Sequence, residues 1–252
     1  MSTSASECLL LGSLPLLVLS EWNSRSHTGT AVFKMLCSVA FLSHPFLLPS
    51  TEWSEYRFLI TAGLGCSLLG DFCLIPSRRE FDELRDKVAL SGKSESQGAI
   101  SISFQLGIVA FAAAHIFYSV AFLRDSSAIS WLIFAATFLA ALSTATWLGA
   151  IYPQAGSSVW SNVLNLAIPS DMKPLVSAYV VIIGVMFAAA TSTSPPIVPS
   201  DWLHSRAVGA AMFVNAFGKS SGPKSRGLLE TFGGYGLYFW AQIVIARTVI
   251  GA

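Results

Sequence analysis

The sequence predicts an all-α fold, a polytopic transmembrane bundle of about eight helices. Of its 252 residues, 53% are hydrophobic and only 12% are charged, and the mean hydropathy is +0.61. These values set the chain apart from ordinary soluble proteins. The apolar segments are long and do not alternate with a period of two, as the strands of a membrane barrel do. Helices are therefore the structure that satisfies their backbone in hydrocarbon.

Eight apolar segments, bounded by Pro, Gly and charged residues, are the predicted helices. They fall at about 8–21, 30–49, 57–76, 102–123, 129–149, 174–191, 206–217 and 234–251. The first has a short apolar core and needs the stretch from Ala5 to Trp22 to cross a bilayer. The seventh spans only roughly 18 Å at about 1.5 Å per residue, against a hydrocarbon core of about 30 Å. The seventh helix is therefore predicted to be truncated.

Two polar segments separate predicted helices. Residues 77–101 mix charged residues with Ser and Gly and are predicted to form a charged loop. Residues 218–227 are predicted to form a flexible loop. Lys and Arg, counted over alternate loops, are more numerous on the face that carries both segments, which predicts that this face is cytoplasmic. The chain 1–252 is predicted to be a single integral membrane domain.

Charge and cysteine usage exclude several classes of partner. The chain has 15 basic and 14 acidic residues, a net charge of +1, so nucleic acid is not an expected partner. Its four cysteines and four histidines lack the paired spacing of metal ligands, so neither a metal nor another cofactor is expected. The expected partners are the membrane and a lipid dissolved in it, and the oligomeric state is left open.

Asp71 is the most informative residue of the chain. It is the only ionisable carboxylate between Phe58 and Ile75, in a run about long enough for one bilayer crossing. A carboxylate there is costly, and such groups usually face a bundle interior or a wet cavity and mark a functional site. Hydrocarbon favours the protonated form of a carboxyl group. Asp71 is therefore predicted to be catalytic, with its protonation state as the variable.

The predicted fourth helix carries a second group of candidates. Residues spaced by three or four share one of its faces: Phe104, Gly107, Phe111, His115, Tyr118 and Phe122. A His inside a membrane helix either has a functional role or is a buried residue satisfied by its neighbours. We predict a catalytic role for His115 and a substrate-binding role for Tyr118, although Tyr118 alone could be packing.

Helices two and eight supply further polar residues. Gln242 needs partners in hydrocarbon, and it either bonds another helix or contacts a substrate, with Tyr238 on the same face. Lys34 lies four residues inside its helix. Its ammonium either snorkels to the interface, meets a lipid phosphate or compensates Asp71. All three are predicted substrate-binding residues.

Five motifs occur in a characteristic order: Cys66-Ser67-Leu-Leu-Gly70-Asp71-Phe-Cys-Leu-Ile75, the pattern from Gly107 to Phe122, Asp171-Met-Lys-Pro174-Leu-Val-Ser-Ala-Tyr179, Gly209-Ala-Ala-Met-Phe213, and Tyr238-Phe-Trp-Ala-Gln242-Ile-Val-Ile. Together with Lys34 they resemble the YhhN-type lysoplasmalogenase family of eight-helix membrane proteins, over nearly the whole chain. Tyr179, in the motif that resembles the start of the sixth helix, joins the predicted substrate-binding residues.

The resemblance implies hydrolysis of the vinyl ether bond of lysoplasmalogens to a fatty aldehyde and a glycerophospho-alcohol, without a metal. The chain would then be an enzyme and a lysophospholipid its substrate. Asp71 would act as general acid, with His115 and Tyr118 in the pocket and Lys34 near the phosphate. The expected location is the endoplasmic reticulum or another internal membrane, if the chain is eukaryotic.

The predicted seventh helix departs from the family. The family continues after its Gly-Ala-x-x-Phe with a Ser-Asp pair that supplies a second carboxylate, whereas here Phe213 is followed by Val214-Asn215-Ala216-Phe217. About eight missing residues would restore a helix of roughly 30 Å. Loss of that Asp would impair catalysis. The alternative is a non-catalytic membrane transporter or lipid-binding protein that uses Asp71 and His115 as a proton relay.

Overall fold

The computed structural model describes residues 5–24, 26–48, 52–77, 101–126, 128–149, 151, 172–193 and 228–251. Within these ranges the chain is helical and contains no strand. The seven helices found there are α1 (Ala5–Leu19), α2 (His27–Ser43), α3 (Glu55–Cys73), α4 (Ile102–Asp125), α5 (Trp131–Leu148), α6 (Lys173–Ser192) and α7 (Leu228–Arg247). They match predicted helices one to six and eight, so the predicted all-α class is confirmed. The predicted seventh helix with its truncation, the loop 218–227 and all but the end residues of the loop 77–101 lie outside the described residues.

Five of the helical segments within the described ranges are long and apolar enough to cross a membrane: Ala5–Trp22, His27–Leu47, Ile102–Asp125, Trp131–Leu148 and Lys173–Ser192. The first of these extends α1 to Trp22, inside the π turn Ser20–Ser24, and so supplies the length that the short apolar core of α1 lacks. Helices α3 and α7, of 19 and 20 residues, are of similar length but are not among these five segments. Many large apolar side chains are exposed, as a lipid-facing surface requires. The chain is a membrane protein.

Side-chain caps and one glycine fix the helix ends. Ser26 accepts a hydrogen bond from the backbone N–H of Gly29 at the start of α2, and Ser54 accepts one from that of Arg57 at the start of α3. Both serines satisfy backbone donors that the first helical turn leaves unpaired. Helix α5 ends at Leu148 and is capped by Gly149, whose φ of 84° lies in the left-handed region that glycine adopts without steric cost.

Helices α3 and α4 pack against each other along their length, and α7 packs against α1, α2 and α3. The main core lies between these five helices. Its largest fully buried side chains include Leu10, Leu17, Phe41, Ile60, Leu64, Tyr118 and Phe239. A smaller core between α5 and α6 consists of Ala141, Ala145, Val180 and Ile183. The α5–α6 pair joins the main core chiefly through contacts between α6 and α4.

Polar contacts join the helix ends at one end of the bundle, where α1 and α3 begin and α2 and α7 end. The Tyr56 hydroxyl donates to Thr248 Oγ1 over 2.7 Å. Glu7 Oε1 lies 3.4 Å from Arg247 Nη1, and Ser6 Oγ lies 2.8 Å from His44 Nδ1. These contacts tie the two ends of the chain to α2 and α3.

Glycines set the close approach of α3 to α4. A Cβ on Gly63 would lie 2.7 Å from Tyr118 Cδ1 and 3.1 Å from the Ala114 carbonyl oxygen. A Cβ on Gly70 would lie 2.8 Å from the Phe111 ring. Small residues at such positions let helix backbones approach closely in membranes. The space at Gly63 is therefore filled by the Tyr118 ring.

Gly63→Ala should displace the Tyr118 ring and lower the free energy of unfolding by about 1–3 kcal/mol, the usual cost of overpacking a filled core. Thermal unfolding in detergent measures this. The matched control is Gly65→Ala in the same helix, since a Cβ there meets nothing within 4 Å. That control should unfold at or slightly above the wild-type temperature, because Ala favours the helix. Equal stability of the two variants would contradict the close packing of α3 on α4.

Candidate functional site

Asp71 lies near the carboxyl end of α3 and is 2% exposed. Lys34 Nζ lies 3.5 Å from Asp71 Oδ1 and donates to the Asp71 backbone oxygen over 3.1 Å. Ser38 and Tyr238 each donate a hydroxyl hydrogen to Asp71 Oδ2, over 2.7 and 2.9 Å. One ammonium and two hydroxyls from α2 and α7 thus surround the carboxyl group.

The two α2 residues reach Asp71 because they are four positions apart and share one helix face. Lys34 is 9% exposed and Ser38 is fully buried, so neither side chain is directed to the membrane surface. A buried ion pair is favourable only when the remaining lone pairs are also hydrogen-bonded. The Ser38 and Tyr238 hydroxyls donate to Oδ2 and meet that condition, while the Lys34 ammonium faces Oδ1.

A closed ring of hydrogen bonds lies one helical turn before Asp71, at the level of Ser67 on α3. The Tyr118 hydroxyl donates to Gln242 Oε1 over 2.8 Å, and Gln242 Nε2 donates to Ser67 Oγ over 3.3 Å. Ser67 Oγ is also 3.1 Å from the Tyr118 hydroxyl. The single Tyr118 hydrogen is engaged with Gln242, so Ser67 must be the donor to Tyr118. Each member of the ring therefore donates once and accepts once.

These contacts join α3 to α7 at two successive levels. Ser67 and Asp71 are four residues apart on α3, as Tyr238 and Gln242 are on α7, so each pair shares a helix face. Tyr238 bonds Asp71 at one level and Gln242 bonds Ser67 at the next. The two levels fix the register of α7 against α3, and Tyr118 adds α4 to the second one.

His115 lies beside this network and is 4% exposed. Its Nδ1 is 2.5 Å from the Phe111 carbonyl oxygen. Since a carbonyl can only accept, Nδ1 carries a hydrogen and donates it to this oxygen. The imidazole meets the rings of Tyr118 and Tyr179 edge-on, with centroids 6.1 and 5.6 Å away. Among the contacts of the described residues, no hydrogen bond joins His115 or Tyr179 to Asp71.

Some of the predicted site residues contact Asp71 directly, and others contact only its neighbours. Lys34 and Tyr238 contact Asp71 directly, so for Lys34 the geometry favours compensation of Asp71 over snorkelling to the interface. Gln242 makes interhelical hydrogen bonds with Tyr118 and Ser67, which is one of the two roles expected for it. Sequence reasoning assigned nothing to Ser38 and Ser67. The available signal was their spacing of four residues from Lys34 and from Asp71.

The fold and the site define a polytopic α-helical membrane protein with an ion-paired carboxyl group inside its bundle. The sequence profile described as the YhhN family matches residues 29–249, a range that contains every residue of the site. The chain therefore belongs to the YhhN family. No curated protein and no solved structure matches the chain. The family predicted from the five motifs is confirmed.

Proposed function

We propose that this YhhN-family protein is a lysoplasmalogenase-like hydrolase that cleaves the vinyl ether bond of lysophospholipids. The observation that carries the proposal is the Asp71 carboxyl group, held inside an apolar bundle by an ammonium and two hydroxyls. Acid-catalysed vinyl ether hydrolysis needs a proton donor, a water molecule and an apolar site for the lipid chain. A carboxyl group with positioned partners is a suitable donor.

The reaction begins when the acid form of Asp71 protonates the vinyl carbon remote from the ether oxygen. This leaves an oxocarbenium ion on the substrate and a carboxylate on Asp71, whose negative charge stabilises the cation. Water adds to the carbon beside the oxygen and releases a proton, which returns Asp71 to its acid form. The hemiacetal then collapses to a fatty aldehyde and a glycerophospho-alcohol. One water is consumed, and no metal is needed.

The remaining residues support this reaction in distinct ways. An ammonium has three donors, and the two contacts of Lys34 with Asp71 leave a third for a phosphate oxygen of the substrate. His115 and Tyr179 present ring edges and faces beside the network and would line the pocket for the lipid. Tyr118 and Gln242 are engaged with Ser67, and they hold the helices that carry Asp71 and Tyr238.

The site shown by the described residues contains one carboxyl group, Asp71. The family pattern adds a second carboxylate in helix seven, and the sequence after Phe213 lacks it. Asn215 can orient water through its amide but cannot take up a proton as a base. We therefore expect this chain to hydrolyse its substrate slowly.

The experiment is an assay for aldehyde release by the purified chain in detergent or vesicles containing a lysoplasmenyl lipid. The matched control is the saturated alkyl ether lysolipid, which has the same headgroup and chain but no double bond to protonate. Aldehyde from the vinyl ether alone supports the proposal. Binding of both lipids without aldehyde release would overturn it and favour a lipid-binding protein.

The alternative, a proton relay in a transporter, has less support. A relay from Asp71 to His115 needs a connected path of hydrogen bonds, and in the described part of the chain His115 Nδ1 instead donates to its own helix. Proton-coupled solute uptake by proteoliposomes that Asp71→Asn abolishes, without aldehyde release by the parent, would reverse this preference.

A further inference from the structure

We propose that Ser38 is a positioning residue that allows Asp71 to release and regain its proton without movement of any heavy atom. The inference rests on the proposed function, in which Asp71 alternates between its acid form and its carboxylate. In the usual arrangement of a buried ion pair, the neighbours suit one protonation state only. Ser38 is placed to suit both.

The geometry of Ser38 offers two arrangements of one hydrogen. Its Oγ lies 2.7 Å from Asp71 Oδ2 and 3.1 Å from the Lys34 carbonyl oxygen, and a hydroxyl has a single hydrogen to donate. When Asp71 is a carboxylate, Ser38 donates to Oδ2. When Oδ2 carries a proton, that proton is donated to Ser38 Oγ, and the Ser38 hydrogen turns to the Lys34 carbonyl.

The position of Lys34 selects the oxygen that takes the proton. Its ammonium is 3.5 Å from Asp71 Oδ1, and a positive charge there disfavours a proton on the same oxygen. The proton therefore goes to Oδ2, the oxygen that faces Ser38 and Tyr238. Both arrangements of Ser38 involve this oxygen.

Tyr238 cannot take the same role. Within the described contacts its hydroxyl hydrogen has one acceptor, Asp71 Oδ2. If Tyr238 accepted the Asp71 proton, its own hydrogen would lose that partner, and an unpaired buried donor is costly. Tyr238 therefore stays a donor to Oδ2 in both forms, and Ser38 is the residue that can change from donor to acceptor.

Other titratable groups face Asp71 from the helices packed around it. Lys34 and Cys37 come from α2, Tyr118 from α4, Tyr179 from α6 and Tyr238 from α7, and all are close enough to interact with it electrostatically. Only Lys34 is ordinarily charged near neutral pH. Ser38 adds no charge, so its effect on catalysis is separable from theirs.

The test compares the kcat and KM for aldehyde release, over a range of pH, in Ser38→Ala, Ser38→Thr and the wild type. Ser38→Ala should lower kcat about tenfold with little change in KM and should alter the pH profile, whereas Ser38→Thr keeps the hydroxyl and should stay within about twofold. The matched control is Ser43→Ala, since Ser43 is on the same helix and its hydroxyl donates to the Ala40 carbonyl. Wild-type kcat and pH profile in Ser38→Ala would overturn the inference, as would equal impairment of a stably folded Ser38→Thr.

A second readout does not depend on turnover. Infrared titration of the purified protein follows the carbonyl stretch of protonated Asp71, which Asp71→Asn identifies by its loss. Ser38→Ala should move that band, because the acid loses its acceptor, while Ser43→Ala should not. If the band in Ser38→Ala is at the wild-type position, the proposed role of Ser38 is wrong. This readout does not depend on whether Ser38→Thr folds. A wild type that releases no aldehyde but shows the band shift in Ser38→Ala would refute the proposed function and leave the hydrogen-bond role of Ser38 standing.

Discussion

Lys34→Met is expected to lower the free energy of unfolding by about 3–5 kcal/mol, the usual cost of removing one partner from a buried ion pair. Asp71 is 2% exposed, so water cannot solvate its carboxylate when the ammonium is removed. Met has a volume similar to that of Lys and fills the same space without a charge. Chemical or thermal unfolding in detergent, followed by circular dichroism, measures the loss.

The double variant Lys34→Met/Asp71→Asn is the control for charge. It removes both charges together, so it should regain most of the stability lost in the single variant, because neutral replacement of a buried pair is often tolerated. The loss of unfolding free energy in the double variant should be smaller than the sum of the losses in Lys34→Met and Asp71→Asn. For independent sites the two losses would add. Simple additivity would show that Lys34 and Asp71 do not act as a pair.

The double variant Lys34→Met/Asp71→Asn should release aldehyde about a hundredfold or more slowly than Lys34→Met, since a positioned general acid contributes about 10²–10⁴-fold. Asn keeps the shape of Asp but has no acidic proton. The measurement is the initial rate with a lysoplasmenyl lipid, and Lys34→Met alone provides the reference rate.

The matched carboxylate control is Asp125→Asn. Asp125 is the last residue of α4 and lies exposed, away from the network around Asp71. Its replacement should leave the rate within about twofold of wild type, the scale of surface substitutions. A double variant that folds stably and still releases aldehyde at the reference rate would remove Asp71 from the mechanism.

Much of the fold is predictable because the bilayer imposes it. A crossing needs a fixed length of apolar chain, so the order and approximate positions of the described helices follow from the apolar runs. Their ends do not: α7 begins at Leu228, six residues before the predicted start, and α2 ends at Ser43, six residues before the predicted end. The short first segment was expected to need Ala5 to Trp22, and the structure provides that span. Asp71 is equally visible, because a lone carboxylate interrupts an apolar run.

The partners of Asp71 are less visible in the sequence. Serines and threonines in membrane helices commonly bond their own backbone, as Ser13 and Thr144 do here. A serine at position 38 or 67 therefore predicts nothing until the neighbouring helices are placed. Lys34 had several possible partners for the same reason: an ion pair and a snorkelling side chain have the same sequence.

The relation of His115 to Asp71 is also not fixed by the sequence. Both are polar groups in apolar helices, and that shared property suggested a relay. In the structure the His115 Nδ1 is directed to the carbonyl four residues earlier, a contact that any His in a helix can make. Whether two such groups meet depends on helix rotation, which a single sequence does not fix.

The sparse packing of α5 has an evolutionary consequence. Only Ala141 and Ala145 are buried along that helix, so most of its side chains need only be apolar to suit the surrounding lipid. On α3, by contrast, Gly63, Ser67, Gly70 and Asp71 each meet a specific neighbour. Substitutions should therefore accumulate freely along α5 among relatives of this chain, whereas the buried face of α3 should change slowly and only together with its partners.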